Sequence, residues 1–72
     1  MEKGFIITVD NTDRYEVISK VEYNGVIYCY LGKIDGETEY FFAKIVNDDI
    51  EFIDDPNLVT EIAPLLVESA FN

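Results

Sequence analysis

The chain has 72 residues and a formal net charge of −10, from fifteen acidic and five basic side chains. Hydrophobic residues make up 49% of it, including five Tyr and five Phe, which excludes a disordered acidic tail and predicts one small folded domain over residues 1–72. The acidity also excludes direct binding to nucleic acid or to anionic membranes, because neutralising phosphate requires clusters of Lys and Arg.

The first element is a short β-strand, predicted over Phe5 to Val9 by its β-branched residues. It ends at the turn-forming cluster Asp10-Asn11-Thr12-Asp13. A second strand follows from about Arg14 to Tyr23, where apolar and polar residues alternate except at Ile18 and Ser19. This alternation is typical of a sheet with one face in water. A bulge in the first turn would decide which face of strand one is buried.

Three turns set the register of the remaining strands. Asn24-Gly25 predicts a type I′ hairpin, because both residues accept positive φ. It pairs strand two with strand three, and two-residue loops at Asp35-Gly36 and Asp48-Asp49 would add strands four and five. The predicted pairs are Tyr23 with Val26, Val21 with Tyr28, Ser19 with Tyr30, Leu31 with Tyr40, Tyr30 with Phe41, Tyr28 with Ala43 and Ile45 with Phe52.

This register predicts two unequal faces. The predicted core face holds Val17, Val21, Tyr23, Val26, Tyr28, Tyr30, Phe41, Ala43, Ile45, Ile50 and Phe52, with Glu39 near its edge. The other face, called here the predicted bare face, holds Ile18, Ile27, Cys29, Leu31, Tyr40 and Phe42 beside Lys20, Glu22 and Lys44.

The C-terminal segment from Asp55 to Phe71 has helical spacing of its apolar residues. Asp55 is a suitable N-cap, and Pro56 suits the first helical position. Pro64, on the polar side, predicts a kink or two short helices. The expected fold class is α+β: a five-stranded antiparallel β-meander with one kinked C-terminal helix packed on one face.

Few residues suit catalysis. Histidine is absent, which removes the commonest general base and metal ligand, and the glycines form no phosphate-binding motif. Cys29 is interpreted as a buried, inert thiol; the alternative is a thiol activated by Lys20 on the neighbouring strand. One cysteine cannot close an internal disulfide, which suits the cytoplasm, and the N-terminus lacks the apolar run of a signal peptide. We expect no enzyme activity, cofactor or metal.

The carboxylates are predicted to gather at one end of the sheet, near the helix N-terminus. The residues of this predicted acidic surface are Asp10, Asp13, Asp35, Glu37, Asp54 and Asp55. They could bind a basic protein or a divalent cation. The alternative is that each is a solvated turn or cap residue, since Asp favours both positions.

A contiguous exposed apolar patch usually marks an interface, so the bare face is the first candidate for one. Its predicted interface residues are Ile18, Ile27, Leu31, Tyr40 and Phe42. The alternatives are that strand one or the chain ends cover this face, or that a register shift of one residue exchanges the two faces.

Several segments resemble the YrzB-like family of small acidic bacterial proteins of unknown function. They are Ile6-Ile7-Thr8-Val9-Asp10, Tyr15-Glu16-Val17-Ile18, Tyr23-Asn24-Gly25 leading to Tyr28, Tyr40 to Ile45, and Ile53-Asp54-Asp55. The resemblance implies a bacterial cytoplasmic protein and supplies no catalytic residues.

The sequence therefore favours a non-enzymatic protein-interaction module or small adaptor, working as a homodimer or with another protein through the bare face. The alternative is an acidic regulator or decoy that binds a basic protein partner.

Overall fold

The computed structural model describes residues 3–9 and 12–71. It contains one antiparallel sheet whose five strands follow chain order, and a C-terminal helix. The predicted α+β meander with one helix is confirmed. The elements are β1 (Ile6–Val9), β2 (Asp13–Tyr23), β3 (Val26–Lys33), β4 (Tyr40–Val46), β5 (Asp49–Phe52) and α1 (Pro56–Ala70).

The β2–β3 hairpin turns where the sequence predicts. Asn24 and Gly25 have φ of 52° and 79°, as a type I′ turn requires. Tyr23 pairs with Val26, and the predicted register continues as far as Ser19 opposite Tyr30. This hairpin confirms the strongest turn prediction.

A β-bulge at Ile18 then interrupts the ladder. Val17 pairs with Leu31 and Ser19 pairs with Tyr30, so Ile18 is an extra residue on β2. An extra residue reverses the side on which later side chains lie. Val17 therefore lies on the opposite face from Val21, and the prediction that these residues share one core face is wrong.

The β3–β4 register differs from the prediction by one residue. Leu31 pairs with Phe41 rather than with Tyr40, because residues 34–39 form a longer connection than a two-residue hairpin. Lys33 N donates to Glu39 O at 2.8 Å and closes this connection. The shift exchanges the two faces of β4 relative to the prediction.

The β4–β5 turn also moves, with less effect. Asn47 and Asp48 take positive φ of 51° and 68°, so the turn lies one residue earlier than Asp48-Asp49. Ile45 consequently pairs with Ile50 instead of Phe52. The register changes by two residues, which keeps the predicted faces of β5 relative to β4.

The sheet curls so far that β2 and β5 touch. The rings of Tyr15 and Phe52 have centroids 5.5 Å apart, although β3 and β4 separate their strands. In a flat sheet these positions would be about 14 Å apart. The inner side of the curl encloses the first core, called the concave core: Ile7, Tyr15, Val17, Cys29, Leu31 and Ala43.

The helix covers the outer side of the curl and forms a second core with it. Ile62 and Leu66 are fully buried there and pack with Tyr28. At the helix start, Asp55 Oδ1 accepts a hydrogen bond from Asn57 N at 3.0 Å, which confirms the predicted cap. One continuous helix passes through Pro64, so the two-helix alternative is wrong.

The predicted core face is therefore divided between two cores. Its members beneath the helix are Val21, Tyr23, Val26, Tyr28 and Tyr30. Its members that line the concave side are Val17, Phe41, Ala43, Ile45, Ile50 and Phe52.

No helix within the described ranges is long and apolar enough to cross a membrane.

A buried hydrogen bond fixes the helix next to the bulge. The Ser19 hydroxyl donates to Leu66 O at 2.7 Å, and Ser19 is the one buried polar side chain among the described residues. A second serine joins the same two elements more weakly, since Ser69 Oγ is 3.5 Å from Lys20 O and only partly buried.

Replacement of Ser19 by alanine should lower the free energy of unfolding by about 1 kcal/mol, because the buried hydrogen bond to Leu66 is lost. Urea denaturation of the wild type and the variant measures this change. The matched Ser69→Ala variant should lose clearly less. Equal losses in the two variants would contradict the role given to Ser19.

Candidate interaction surfaces

The five predicted interface residues do not form one bare face. Leu31 is fully buried in the concave core, and Ile27 lies on the same side at the far end of β3, opposite Ile45. Ile18, Tyr40 and Phe42 lie on the helix side instead. The bulge and the β4 shift separate them, and the predicted bare face is wrong.

Two of these residues line a groove beside the end of the helix, called here the aromatic groove. Its volume is about 370 Å³, and it is lined by Ile18, Tyr30, Tyr40, Val67, Ala70 and Phe71. The Tyr30 ring is stacked between two others, with centroids 5.1 Å from Phe42 and 5.5 Å from Tyr40.

Gly32 allows the two sides of the groove to meet. It pairs with Tyr40 across β3 and β4, and a Cβ added to it would lie 3.1 Å from Ile18 Cδ1 and 3.5 Å from the Tyr40 ring. A side chain at this position would displace the end of the Ile18 side chain by a few tenths of an ångström, so Gly32 lets Ile18 approach the Tyr40 ring closely.

The rim of the aromatic groove is apolar and open to solvent. Phe71 is 85% exposed, Tyr40 57% and Val67 43%. The sequence did not indicate Val67 and Phe71 as site residues, because their contact with β3 and β4 depends on where the helix ends on the sheet. The sequence feature that could have indicated this site is Phe71, an aromatic residue just beyond the last helical turn.

A second opening separates the two edge strands and is called here the seam. Curling brings β1 and β5 to either side of a cleft of about 460 Å³, lined by Phe5, Ile6, Ile7, Thr8, Val9, Asp48, Asp49 and Ile50. The seam could not be predicted from the sequence, because alternation along a strand carries no information on how far a sheet curls.

The predicted acidic surface is not assembled as expected. Glu61 Oε2 lies 3.5 Å from the Tyr23 hydroxyl, so the N-terminal half of the helix is near the Asn24-Gly25 turn. Asp13 and Asp35 lie at the other end of the sheet, whereas Asp54 and Asp55 immediately precede the helix. Asp10 lies outside the described residues.

Basic side chains form ion pairs with Asp13 and Asp35, two residues of the predicted acidic surface. Arg14 donates to Asp35 through two nitrogens, at 2.9 and 3.1 Å, and Lys33 Nζ lies 3.7 Å from Asp13 Oδ1. The hydrogen bonds from Arg14 hold the pKa of Asp35 below its ordinary value. In the described part of the chain, no three Asp, Glu or Cys side chains form a group that could hold a metal ion.

Cys29 is fully buried in the concave core, opposite Lys20 on β2. Burial raises the pKa of its thiol, and the positive charge of Lys20 opposes this effect only as a smaller contribution. A raised pKa lowers the thiolate fraction, so the interpretation of an inert thiol is supported over the activated one.

Comparisons of the chain with protein-family models, with curated proteins and with solved structures find no significant match.

The Arg14–Asp35 pair makes a testable contribution to acid sensitivity. A carboxyl whose pKa is lowered by folding adds stability above its unfolded pKa and loses it as pH falls through its folded pKa. The free energy of unfolding of the Asp35→Asn variant, measured by urea denaturation, should therefore fall less than that of the wild type when the pH is lowered from about 7 to about 2.

The matched control is Glu37→Gln, which removes the same charge from an exposed residue of the same connection. This variant should lose more stability on acidification than the Asp35 variant, because it keeps the Arg14–Asp35 ion pair. If the Asp35 and Glu37 variants respond alike, the ion pair does not contribute.

Proposed function

We propose that this protein is a non-enzymatic protein-interaction module, a small adaptor that self-associates through the aromatic groove. The observation that carries the proposal is the set of large apolar side chains exposed around one groove, with Phe71 and Tyr40 foremost. Contiguous exposed apolar surface of this kind usually marks an interface. The resemblance described above adds a bacterial cytoplasmic setting to the proposal.

The groove has the features of an interface hot spot. Tyr30, which lines it, is already stacked between Phe42 and Tyr40, so little of its side-chain entropy remains to be lost on binding. Covering the exposed parts of Tyr40 and Phe71 would contribute on the order of 5 kcal/mol. Exposed ion pairs contribute about 0–1 kcal/mol each, so apolar contact rather than charge would supply the affinity.

The occupant we propose for the aromatic groove is a second copy of the chain. Phe71 projects from the rim of the groove that it lines. In a contact with two-fold symmetry, each Phe71 would enter the groove of the other copy, because such an interface uses the same patch twice. Repulsion between two chains of net charge −10 opposes this contact and is screened by salt.

The acidic regulator remains the second candidate function. Its support is the net charge of −10 and the exposure of carboxylates such as Glu37, Asp48 and Asp54. Charge of this size speeds the encounter with a basic partner and disfavours acidic ones. In the adaptor proposal, the same charge determines which second protein is bound.

The groove proposal predicts a dimer that salt strengthens and that loss of the two rim aromatics abolishes. The double variant Tyr40→Ser, Phe71→Ser should be monomeric in light scattering at low and at high salt. Because both side chains are mostly exposed, its melting temperature at equal monomer concentration should fall by only a few degrees.

The matched control is Phe5→Ser, since Phe5 is a half-exposed aromatic outside the groove. This variant should dimerise as the wild type does. A wild type that is monomeric at both salt concentrations, or a double variant that still dimerises, would contradict the groove as the self-association surface.

A further inference from the structure

The edge of β1 has backbone groups without a strand partner. Each described strand of the sheet pairs only with its neighbours in the order β1 to β5, so β1 is paired on one side. Val17 N donates to Phe5 O at 2.8 Å. Because hydrogen-bonded positions alternate in an antiparallel ladder, the N–H and C=O groups of Ile6 and Thr8 point away from β2.

The edge of β5 is equivalent. Ile53 N donates to Phe42 O at 2.9 Å, which places Ile53 among the hydrogen-bonded positions of the β4–β5 ladder. By the same alternation, the backbone groups of Ile50 and Phe52 point away from β4. The seam is thus bounded on both sides by unpaired strand edges.

The seam also offers apolar contacts to an added strand. Phe5 is 52% exposed and Ile6 53%, and Ile7 and Ile50 line the cleft on the concave side. An unpaired edge is a template for an added strand. In such binding, backbone hydrogen bonds give affinity and pockets for alternate side chains give specificity.

Charge indicates which strand would fit. Of the described residues, Asp48 and Asp49 are the charged ones that line the seam, and no Lys or Arg is among its lining residues. Among the described residues, neither aspartate forms an ion pair with a basic side chain. A second copy of the chain would bring the same carboxylates to this edge, whereas a cationic segment would meet a complementary charge.

We propose that the seam binds an extended segment of a basic partner protein as a sixth strand between β1 and β5. Apolar residues of this segment at alternate positions face the concave core, and Lys or Arg lies beside Asp48 and Asp49. The inference rests on the proposed function, because it assigns a second binding surface to the adaptor and the chemical class of its partner.

The test uses the 72-residue chain and a mixture of ten-residue peptides, with Lys at alternate positions and Val, Ile, Leu or Phe between them. Backbone NMR follows the amides of Ile6, Thr8, Ile50 and Phe52. Saturating peptide should slow hydrogen exchange at these four amides at least tenfold. Unchanged exchange at all four with millimolar peptide would overturn the proposal.

Two control mixtures separate strand addition from simple charge attraction. Peptides methylated on alternate backbone nitrogens keep their charge but cannot pair with an edge, and they should give no protection. Peptides with Glu in place of Lys should also fail. Equal protection by the methylated or the Glu mixture would contradict the proposed binding mode.

Charge variants test the role of the two aspartates. Asp48→Asn, Asp49→Asn should weaken peptide binding roughly three- to tenfold at low salt, and asparagine tolerates the positive φ of position 48. The control Glu37→Gln, Asp54→Asn removes two charges outside the seam and should bind like the wild type. Equal weakening in the two double variants would reject the aspartates as the recognition element.

The monomeric variant Tyr40→Ser, Phe71→Ser distinguishes this inference from the groove proposal. It should bind the peptides as tightly as the wild type, because its seam is unaltered. Dimerisation of the wild type without peptide protection would reject the seam alone. A wild type that neither dimerises nor binds the peptides would reject the proposed interaction module itself.

Discussion

The bulge at Ile18 is the feature on which the rest of the structure depends. By adding one residue to β2 between Val17 and Ser19, it reverses the faces along a single strand. The first half of β2 then supplies Tyr15 and Val17 to the concave core, and the second half lies beneath the helix. Without the extra residue, alternation would place Ser19 on the concave side, out of reach of Leu66. One strand therefore belongs to two cores.

Two buried faces explain where exposed apolar surface remains in so small a protein. The curl buries one side of the sheet and the helix buries the other, so the available surface lies where these layers end. The helix ends beside Tyr40 and leaves the aromatic groove; the curl stops before β1 meets β5 and leaves the seam. In the proposed adaptor, apolar contact at the groove joins two copies, and the aspartates at the seam select a basic partner.

Turns and helix caps could be predicted from the sequence, whereas strand register and contacts between distant elements could not. Positive φ at Asn24-Gly25 and the Asp55 cap follow from the residues themselves. The sequence indicated an irregularity in β2, since alternation of apolar and polar residues fails only at Ile18 and Ser19. A break in alternation does not show in which direction the strand register shifts. The strand pairing of Tyr40 depends on the length of the connection formed by residues 34–39. The aromatic groove depends on where Phe71 lies after folding. The proposed interaction surfaces could therefore be predicted only in part.

The contact between the Tyr15 and Phe52 rings is the most direct test of the structural account, because only a curled sheet brings β2 and β5 together. Nuclear Overhauser effects between their ring protons, measured on the isotope-labelled wild type, report this contact. With centroids 5.5 Å apart, the two rings should give clear cross-peaks. Their absence, together with intact β2–β3 and β3–β4 cross-peaks, would indicate a flat meander with strands about 14 Å apart. That result would contradict both the concave core and the seam.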